Sequence, residues 1–220
     1  MNEPIAAGED WPALRRRFAG EALTRLLAFC GCSSDCRGRE GPGGGVLLTS
    51  GPAVLSLPVG PVALLWGGAP LEGSAPDWPR RVAPDAARFF LTARPLAEPV
   101  TLDCDLAARR DEYNPYYFAC YIHKRLGVLL SRRLPEGLSG PTAFTEEERV
   151  LALAIDRFPA AVRRGSEALD PYFVNRYAVE LAAAARDLLH TGASNRPLLA
   201  AAETALGNAL NILDLKEESP

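Results

Sequence analysis

The stretch that decides the fold is residues 114–125, which read Asn-Pro-Tyr-Tyr-Phe-Ala-Cys-Tyr-Ile-His-Lys-Arg. It opens with a helix start signal, because Asn114 can cap a helix and Pro115 suits a first helical turn, where no needed backbone hydrogen bond is lost. The apolar and aromatic residues that follow predict a helix that runs to about Arg133, before Pro135. The sequence therefore predicts a long helix near the middle of the chain.

Four further helices are predicted downstream of this one. Their starts are marked by capping residues or helix-opening prolines, namely Thr145, Pro159, Asp170-Pro171 and Pro197. Thr145 begins a capping box, since Glu148 stands three residues later. Five helices with short connections indicate an antiparallel bundle over residues 111–220.

Residues 1–110 have a different character, because they are rich in Gly and Pro and mix helix with strand signals. A helix is predicted from about Trp11 to Phe29, and a second, short one over residues 85–92. The apolar stripe of the first helix comprises Leu14, Phe18, Ala22, Leu26 and Phe29. Arg15, Arg16, Arg17 and Arg25 lie mostly off this stripe. Arg15–Arg17 and Arg80–Arg81 are expected to be solvated charges on a helix face and a loop, with a cationic phosphate-binding role as the alternative. Short buried strands are predicted at residues 46–49, 53–57 and 62–66.

Composition limits the classes of function. The chain has 220 residues, 48% hydrophobic and 23% charged, as is usual for a globular protein. The net charge of −3 excludes a broadly basic nucleic-acid coat but allows a local basic face. Gly41–Leu71 holds no charged residue, yet its prolines and glycines argue against a membrane helix. No secretory signal is visible and the number of cysteines is odd, so a reducing, cytoplasmic location is expected.

Metal binding is not expected. The two histidines, His123 and His190, cannot build a three-His zinc centre within one chain. Cys30, Cys32 and Cys36 lie close together, but their spacing fits a structural zinc site poorly and no fourth ligand is evident. No other cofactor site is indicated, since Gly43-Gly44-Gly45 is not followed by the Lys-Ser/Thr of a phosphate loop.

Residues 114–125 resemble the segment that opens the C-terminal anticodon-binding domain of arginyl-tRNA synthetases, roughly Asn-Pro-x-Tyr-Tyr-x-Gln-Tyr-Ala-His-Ala-Arg. Residues 158–162 are similar to the family's Phe-Pro-x-x-Val, and residues 177–182 to its Tyr-Leu-x-x-Leu-Ala. Residues 205–215 are similar to the stretch that closes these synthetases. In the first part, Gly20–Leu27 and Asp85–Leu91 resemble family landmarks more weakly, the latter the Asp-Ala-x-Arg-Phe run.

The resemblance implies a shortened, class I synthetase-like protein that is mainly α. Residues 1–110 would be a small remnant α/β nucleotide-binding fold, and residues 111–220 a DALR-type anticodon-binding bundle. Both ATP-site signatures are missing. The family's His-x-Gly-His falls on Asp10-Trp11-Pro12-Ala13, and its Lys-Met-Ser-Lys-like run falls near Leu71-Glu72-Gly73-Ser74, without lysine.

The loss of these signatures bears directly on catalysis. Activation of a carboxylate on ATP develops negative charge on phosphorus and pyrophosphate, which fixed positive donors must stabilise. We therefore expect a pseudoenzyme, without arginine–tRNA ligase activity. A residual transferase that uses charged tRNA would need neither signature and stays open as an alternative.

The bundle is the expected RNA-binding part, since the resemblance implies contact with the anticodon arm of a tRNA. RNA loops bind by stacking bases on aromatic or guanidinium planes, with phosphates held by cations. Tyr117, Tyr121 and Arg125 follow at four-residue spacing and share a helix face. The candidate RNA-binding residues are Asn114, Tyr116, Tyr117, Tyr121, Lys124, Arg125, Arg132, Arg133 and Arg176. The expected partner is a tRNA, arginine-accepting, or alternatively a protein bound by a regulatory subunit that has lost RNA binding. Neither DNA nor a membrane is expected as a partner.

Overall fold

The structure is a computed structural model. It describes residues 10–32, 37–41, 44–50, 53–71, 82–131, 144–192 and 195–215. Over these residues the chain is mainly α, with eight helices: α1 (Trp11–Phe29), α2 (Pro84–Leu91), α3 (Cys104–Ala108), α4 (Pro115–Ser131), α5 (Glu146–Asp156), α6 (Phe158–Ala168), α7 (Tyr172–His190) and α8 (Arg196–Ile212). The strands are β1 (Arg37–Glu40), β2 (Val46–Ser50), β3 (Ala53–Leu57), β4 (Val62–Trp66), β5 (Ala69–Pro70) and β6 (Val100–Asp103).

The strands form two small sheets. One is antiparallel in the order β1-β2-β3, and α1 packs against its first two strands. The other has the order β5-β4-β6, in which β4 and β6 run parallel with Val62 opposite Val100. This is the one parallel pair among the described strands. A single parallel pair is too little to identify a nucleotide-binding fold, so that assignment for residues 1–110 stays a prediction.

The three predicted strands are confirmed as strands, but the prediction that all are buried is wrong for β3. Val54 is 63% exposed and Leu55 47%. The reason is that β3 lies at the edge of its sheet, where it pairs with β2 alone among the described strands.

Helix α1 begins and ends where the sequence predicts. The Asp10 carboxylate caps it by accepting a hydrogen bond from the Ala13 N–H at 2.6 Å. Of the predicted stripe, all but Phe29 are buried. Phe29, at the last turn, is 46% exposed and packs edge-on against Phe158 with 5.6 Å between ring centroids.

The expected solvation of the α1 arginines is wrong for Arg15, whose side chain is fully buried. Its guanidinium donates to the carbonyl oxygens of Gly60 at 2.8 Å, Glu98 at 2.6 Å, Pro95 at 3.0 Å and Leu91 at 3.2 Å. Desolvation lowers the pKa of Arg15. Arg15 therefore joins α1 to three segments of the chain: Gly60, Leu91 at the end of α2, and residues 95–98. Each hydrogen bond gives a donor to a carbonyl oxygen that is buried or partly buried.

Asp170 lies at the same junction. Its carboxylate accepts from the Leu96 N–H at 2.8 Å and from the Tyr172 N–H at 3.0 Å. It therefore links the loop before β6 to the start of α7. Burial raises the pKa of Asp170, and the charge of Arg15 opposes that rise.

Helices α4 to α8 pack on one another through α7 and α8, and they share one hydrophobic core with α1 and α2. The capping box predicted for α5 is confirmed: the Thr145 N–H donates to Glu148 Oε2 at 2.9 Å, and the Glu148 N–H donates to Thr145 Oγ1 at 3.2 Å. Helix α7 is followed by Gly192 at φ +73°, the left-handed conformation that favours glycine after a helix.

A buried charge network joins the two ends of the described chain. Arg88 on α2 is 4% exposed, and its guanidinium pairs with Glu21 on α1 and with Asp214 after α8 at 3.4 Å. Asp214 also pairs with Arg25. The Arg88 guanidinium stacks 4.3 Å from the centroid of the Phe18 ring. The network therefore fastens α1, α2 and the segment after α8 together.

No helix in the described part of the chain has the length and apolar composition that would be needed to cross a bilayer.

Candidate functional site

A cleft of about 320 Å³ lies between α4 and the C-terminal end of α7. Its lining is mainly aromatic and cationic: Glu112, Tyr117, Phe118, Tyr121, Ile122, Arg125, Arg186, Leu189 and His190. Helix α4 places Tyr117, Tyr121 and Arg125 on this side because four residues are close to one helical turn. The structure thus brings together three of the residues that the sequence nominates for RNA binding.

The wall on α4 is an ordered aromatic pair. The rings of Tyr117 and Tyr121 are nearly parallel, with 10° between their planes and 6.3 Å between centroids. Arg125 Nη1 donates to the Tyr121 hydroxyl at 3.0 Å, and the Tyr121 side chain is 45% exposed. The pair therefore offers an accessible aromatic face beside an exposed guanidinium, the combination on which unpaired bases and phosphates bind.

The wall on α7 adds charge that sequence reasoning missed. The Arg186 guanidinium lies 5.5 Å from the centroid of the Phe118 ring and pairs with Asp187 at 2.8 Å. His190 lies one turn further along and is exposed. The four-residue spacing of Arg186 and His190 was the signal that places them on one helix face.

Asn114 has a structural role in place of the predicted RNA contact. It is 1% exposed, and its Nδ2 donates to the carbonyl oxygens of Ala107 at 3.1 Å and Arg109 at 2.8 Å. Its Oδ1 accepts from the N–H groups of Tyr116 at 3.0 Å and Tyr117 at 3.3 Å. With its hydrogen-bonding atoms engaged inside the protein, Asn114 caps α4 and has no group facing the cleft.

Tyr116 is likewise interior. It is 5% exposed, and its ring packs 6.1 Å from that of Phe89, centroid to centroid. The Tyr116 ring fills the core between α2 and α4, and its contact with RNA stays a prediction.

The remaining predicted residues do not join the cleft. Arg176 is exposed, but it lines a different groove and its Nε pairs with Glu180 Oε1 at 2.7 Å. Lys124 is half-buried on α4 and does not line the cleft. Arg132 and Arg133 lie outside the described residues.

The N-terminus of α1 holds a carboxylate that the helix itself uses, at the position where the resemblance predicts the first ATP signature. Because Asp10 accepts the hydrogen bond of the Ala13 N–H, the end of α1 that could bind a phosphate carries a negative side chain instead. For the second signature, residues 72–74 lie outside the described residues.

Cysteine and histidine side chains form no metal cluster in the described ranges, where no three His, Cys, Asp or Glu residues come together. Cys30 and Cys32 are exposed free thiols, and Cys36 lies outside these ranges. His123 is half-buried, with its Nε2 at 3.5 Å from Glu203 Oε1.

Tyr177 carries a buried hydroxyl that forms no hydrogen bond with any described residue. The side chain is 4% exposed, its ring lies 5.4 Å from that of Phe158, and burial raises its pKa.

We expect Tyr177→Phe to raise the free energy of unfolding by about 1 kcal/mol, because it removes an unsatisfied polar atom and keeps the ring. Urea denaturation followed by circular dichroism measures the change, with the exposed Tyr113→Phe as the control expected to leave it unaltered. A clear loss of stability in Tyr177→Phe would show that the hydroxyl has a partner.

Known proteins were compared with the chain, and no family model matches it. The arginine–tRNA ligase of Kineococcus radiotolerans is 30% identical over 166 residues, which are 73% of this chain and 29% of that protein. The arginine–tRNA ligase of Acidithiobacillus ferrooxidans is 36% identical over 111 residues, which are 47% of this chain and 19% of that protein. The chain therefore spans less than a third of the length of these curated relatives.

Solved structures agree with these relatives. A Campylobacter jejuni structure described as an arginyl-tRNA synthetase matches with a TM-score of 0.61 and 17% identity, covering 71% of this chain and 39% of that one. The arginyl-tRNA synthetase of Thermus thermophilus matches with a TM-score of 0.52 and 20% identity, covering 66% and 28%. These matches show a shared fold. The chain is therefore similar in sequence to arginine–tRNA ligases over 47–73% of its own length and 19–29% of theirs, and similar in fold to solved arginyl-tRNA synthetases over 66–71% of its length.

Proposed function

We propose that the chain is a non-catalytic tRNA-binding protein that binds its RNA in the cleft between α4 and α7. The observation that carries the proposal is the Tyr117–Tyr121 ring pair with Arg125 hydrogen-bonded at its edge. Arg186, from the opposite wall, supplies a second guanidinium, which is paired with Asp187. In this proposal residues 111–220 are the RNA-binding helical bundle and residues 1–110 the remnant of a nucleotide-binding fold.

Arginine-accepting tRNA is the proposed ligand, because the relatives are arginine–tRNA ligases. The cleft suits the unpaired bases of a tRNA loop better than a duplex. Stacking on an aromatic face requires a base that is not already stacked in a helix, and every base has such a face.

The absence of ligase activity is proposed from the chemistry at α1. Asp10 places a carboxylate, bound to the helix N-terminus, where the family has a histidine. A negative charge there disfavours the triphosphate and the charge that develops on it.

The alternative of a residual transferase receives no support from Cys104. This thiol is fully buried, and burial, with the neighbouring Asp105 and Asp103, raises its pKa to about 11. A buried, protonated thiol is not a nucleophile at neutral pH.

The test is fluorescence anisotropy with an arginine-accepting tRNA and the purified chain. We expect Tyr121→Ala to weaken binding by about tenfold, since stacking contributes roughly 1–3 kcal/mol per base. Arg125→Ala is expected to weaken binding and to reduce the dependence of log Kd on log salt by about 0.7–0.9, one phosphate contact.

Matched controls are Phe144→Ala and Arg163→Ala, which remove an exposed aromatic ring and an exposed cation outside the cleft. Both are expected to bind like the parent. Binding that is absent at micromolar protein, or that is equally weakened by cleft variants and controls, would refute the cleft as the RNA site.

A further inference from the structure

Helix α5 exposes a mixed stripe that no described element covers. Glu146, Val150, Leu153 and Arg157 follow at spacings of four, three and four residues, so they lie on one side of the helix. All four are exposed, with Val150 at 46% and Leu153 at 59%. We refer to these four residues as the α5 seam. Its spacing is the one by which helices pack side by side along a hydrophobic centre.

The seam borders an open groove. Val150, Leu153 and Arg157 form one lip of a groove of about 520 Å³ between α5 and α7, and Leu181 and Ala184 are buried below it. The exposed Val150 and Leu153 side chains adjoin each other on one lip of the groove, and the charged side chains of Arg176, Glu180 and Asp187 line its α7 side.

The two ends of the seam carry opposite charges, Glu146 and Arg157, and neither has a strong ion pair with another described residue. Arg157 forms no ion pair with another described residue, and Glu146 has only an exposed contact with Arg149 at 3.4 Å. The Glu146 side chain is 75% exposed and the Arg149 side chain 60% exposed, so this ion pair is weak and can be replaced by another.

We propose that the α5 seam is the interface of a homodimer, in which α5 of two copies packs antiparallel about a twofold axis. In this arrangement Val150 meets Leu153 of the second copy, and Glu146 meets Arg157 of the second copy. Each contact occurs twice, as a twofold axis requires. A parallel arrangement would set Glu146 against Glu146 and Arg157 against Arg157, so charge complementarity selects the antiparallel one.

The interface is small. Eleven residues of helix extend about 16 Å, so the seam and the adjoining groove bury less surface than a permanent dimer does. We therefore expect a reversible dimer that forms at micromolar concentration. The residues that line the cleft between α4 and α7 are absent from the seam.

Sedimentation equilibrium of the purified chain over the micromolar range tests the proposal. The parent is expected to rise from the monomer mass of 23.6 kDa towards twice that mass. Leu153→Glu is expected to stay monomeric throughout. Glu146→Arg and Arg157→Glu each replace two attractions by two repulsions, and each is expected to weaken the dimer by about tenfold or more.

Mixing the two charge variants gives the decisive result. In a mixed pair every seam contact again joins opposite charges, so an equimolar mixture of Glu146→Arg and Arg157→Glu is expected to associate where neither does alone. Loss of folding cannot produce this rescue, and circular dichroism of each variant confirms its helices. Tyr121→Ala and Arg163→Glu, outside the seam, are expected to dimerise like the parent. A parent chain that stays monomeric, a dimer that survives Leu153→Glu, or a mixture without rescue would each overturn the proposal.

Discussion

Replacement of Arg15 by methionine is expected to lower the free energy of unfolding by about 3–5 kcal/mol, the range seen when one partner of a buried charged interaction is removed. The methionine side chain fills most of the volume but donates nothing. Four carbonyl oxygens that now accept from the guanidinium would then be buried or half-buried without this donor. Urea denaturation measures the change as a lower midpoint.

Two further variants separate the loss of the hydrogen bonds from the loss of the charge and from the general effect of an Arg-to-Met change. Arg15→Lys keeps the charge but cannot reach four carbonyls with one ammonium, so it is also expected to be destabilised. Arg163→Met makes the same chemical change at an exposed position on α6 and is expected to alter stability by less than about 0.5 kcal/mol. Equal stability of Arg15→Met and Arg163→Met would contradict the role assigned to Arg15.

Asn114→Ala is expected to lower the free energy of unfolding by about 2–4 kcal/mol. The change removes the two hydrogen bonds that Asn114 donates and the two that it accepts at the start of α4, all of them buried or partly buried. The matched control is Asn195→Ala at the start of α8. There the side chain accepts one hydrogen bond, from the Leu198 N–H at 3.2 Å, and a loss of about 1 kcal/mol is expected.

Asn114→Ala also tests whether Asn114 only caps α4 or also contacts RNA. At a temperature where Asn114→Ala is fully folded, we expect it to bind tRNA like the parent, since Asn114 does not line the cleft. Weakened binding by a fully folded variant would return Asn114 to the set of RNA-binding residues.

Helix boundaries were predictable because the interactions that set them are local. Asp10 caps a group three residues away, and Thr145 and Glu148 cap each other across the same distance. Such contacts are visible in the sequence as residue types at fixed spacing.

The role of Arg15 was not predictable in the same way. Two of its acceptors, Gly60 and Glu98, are 45 and 83 positions away in the chain. An arginine beside two others on a helix is usually exposed. Only the packing of two loops against α1 distinguishes this one from its neighbours.

In the candidate site, too, contacts within one helix could be predicted from the sequence, and contacts between helices could not. The four-residue spacing of Tyr117, Tyr121 and Arg125 predicted their common face on α4. Arg186 joins them only because α7 packs beside α4, which no spacing within either helix reveals. The resemblance of residues 114–125 to a known segment also did not separate side chains that build the helix, such as Asn114, from those that face the cleft.

The charge network around Arg88 has a consequence for the order in which the molecule is made. A ribosome synthesises α1 and α2 long before Asp214, yet Arg88 is buried against Asp214 as well as Glu21. Helix α1 also packs on α6 and α8, which emerge late. Helix α1 can pack on β1, β2 and α2 soon after it is made, but its contacts with α6 and α8 must wait for those later helices. The part of the packing that depends on Asp214, α6 and α8 therefore forms only after these C-terminal segments have been synthesised.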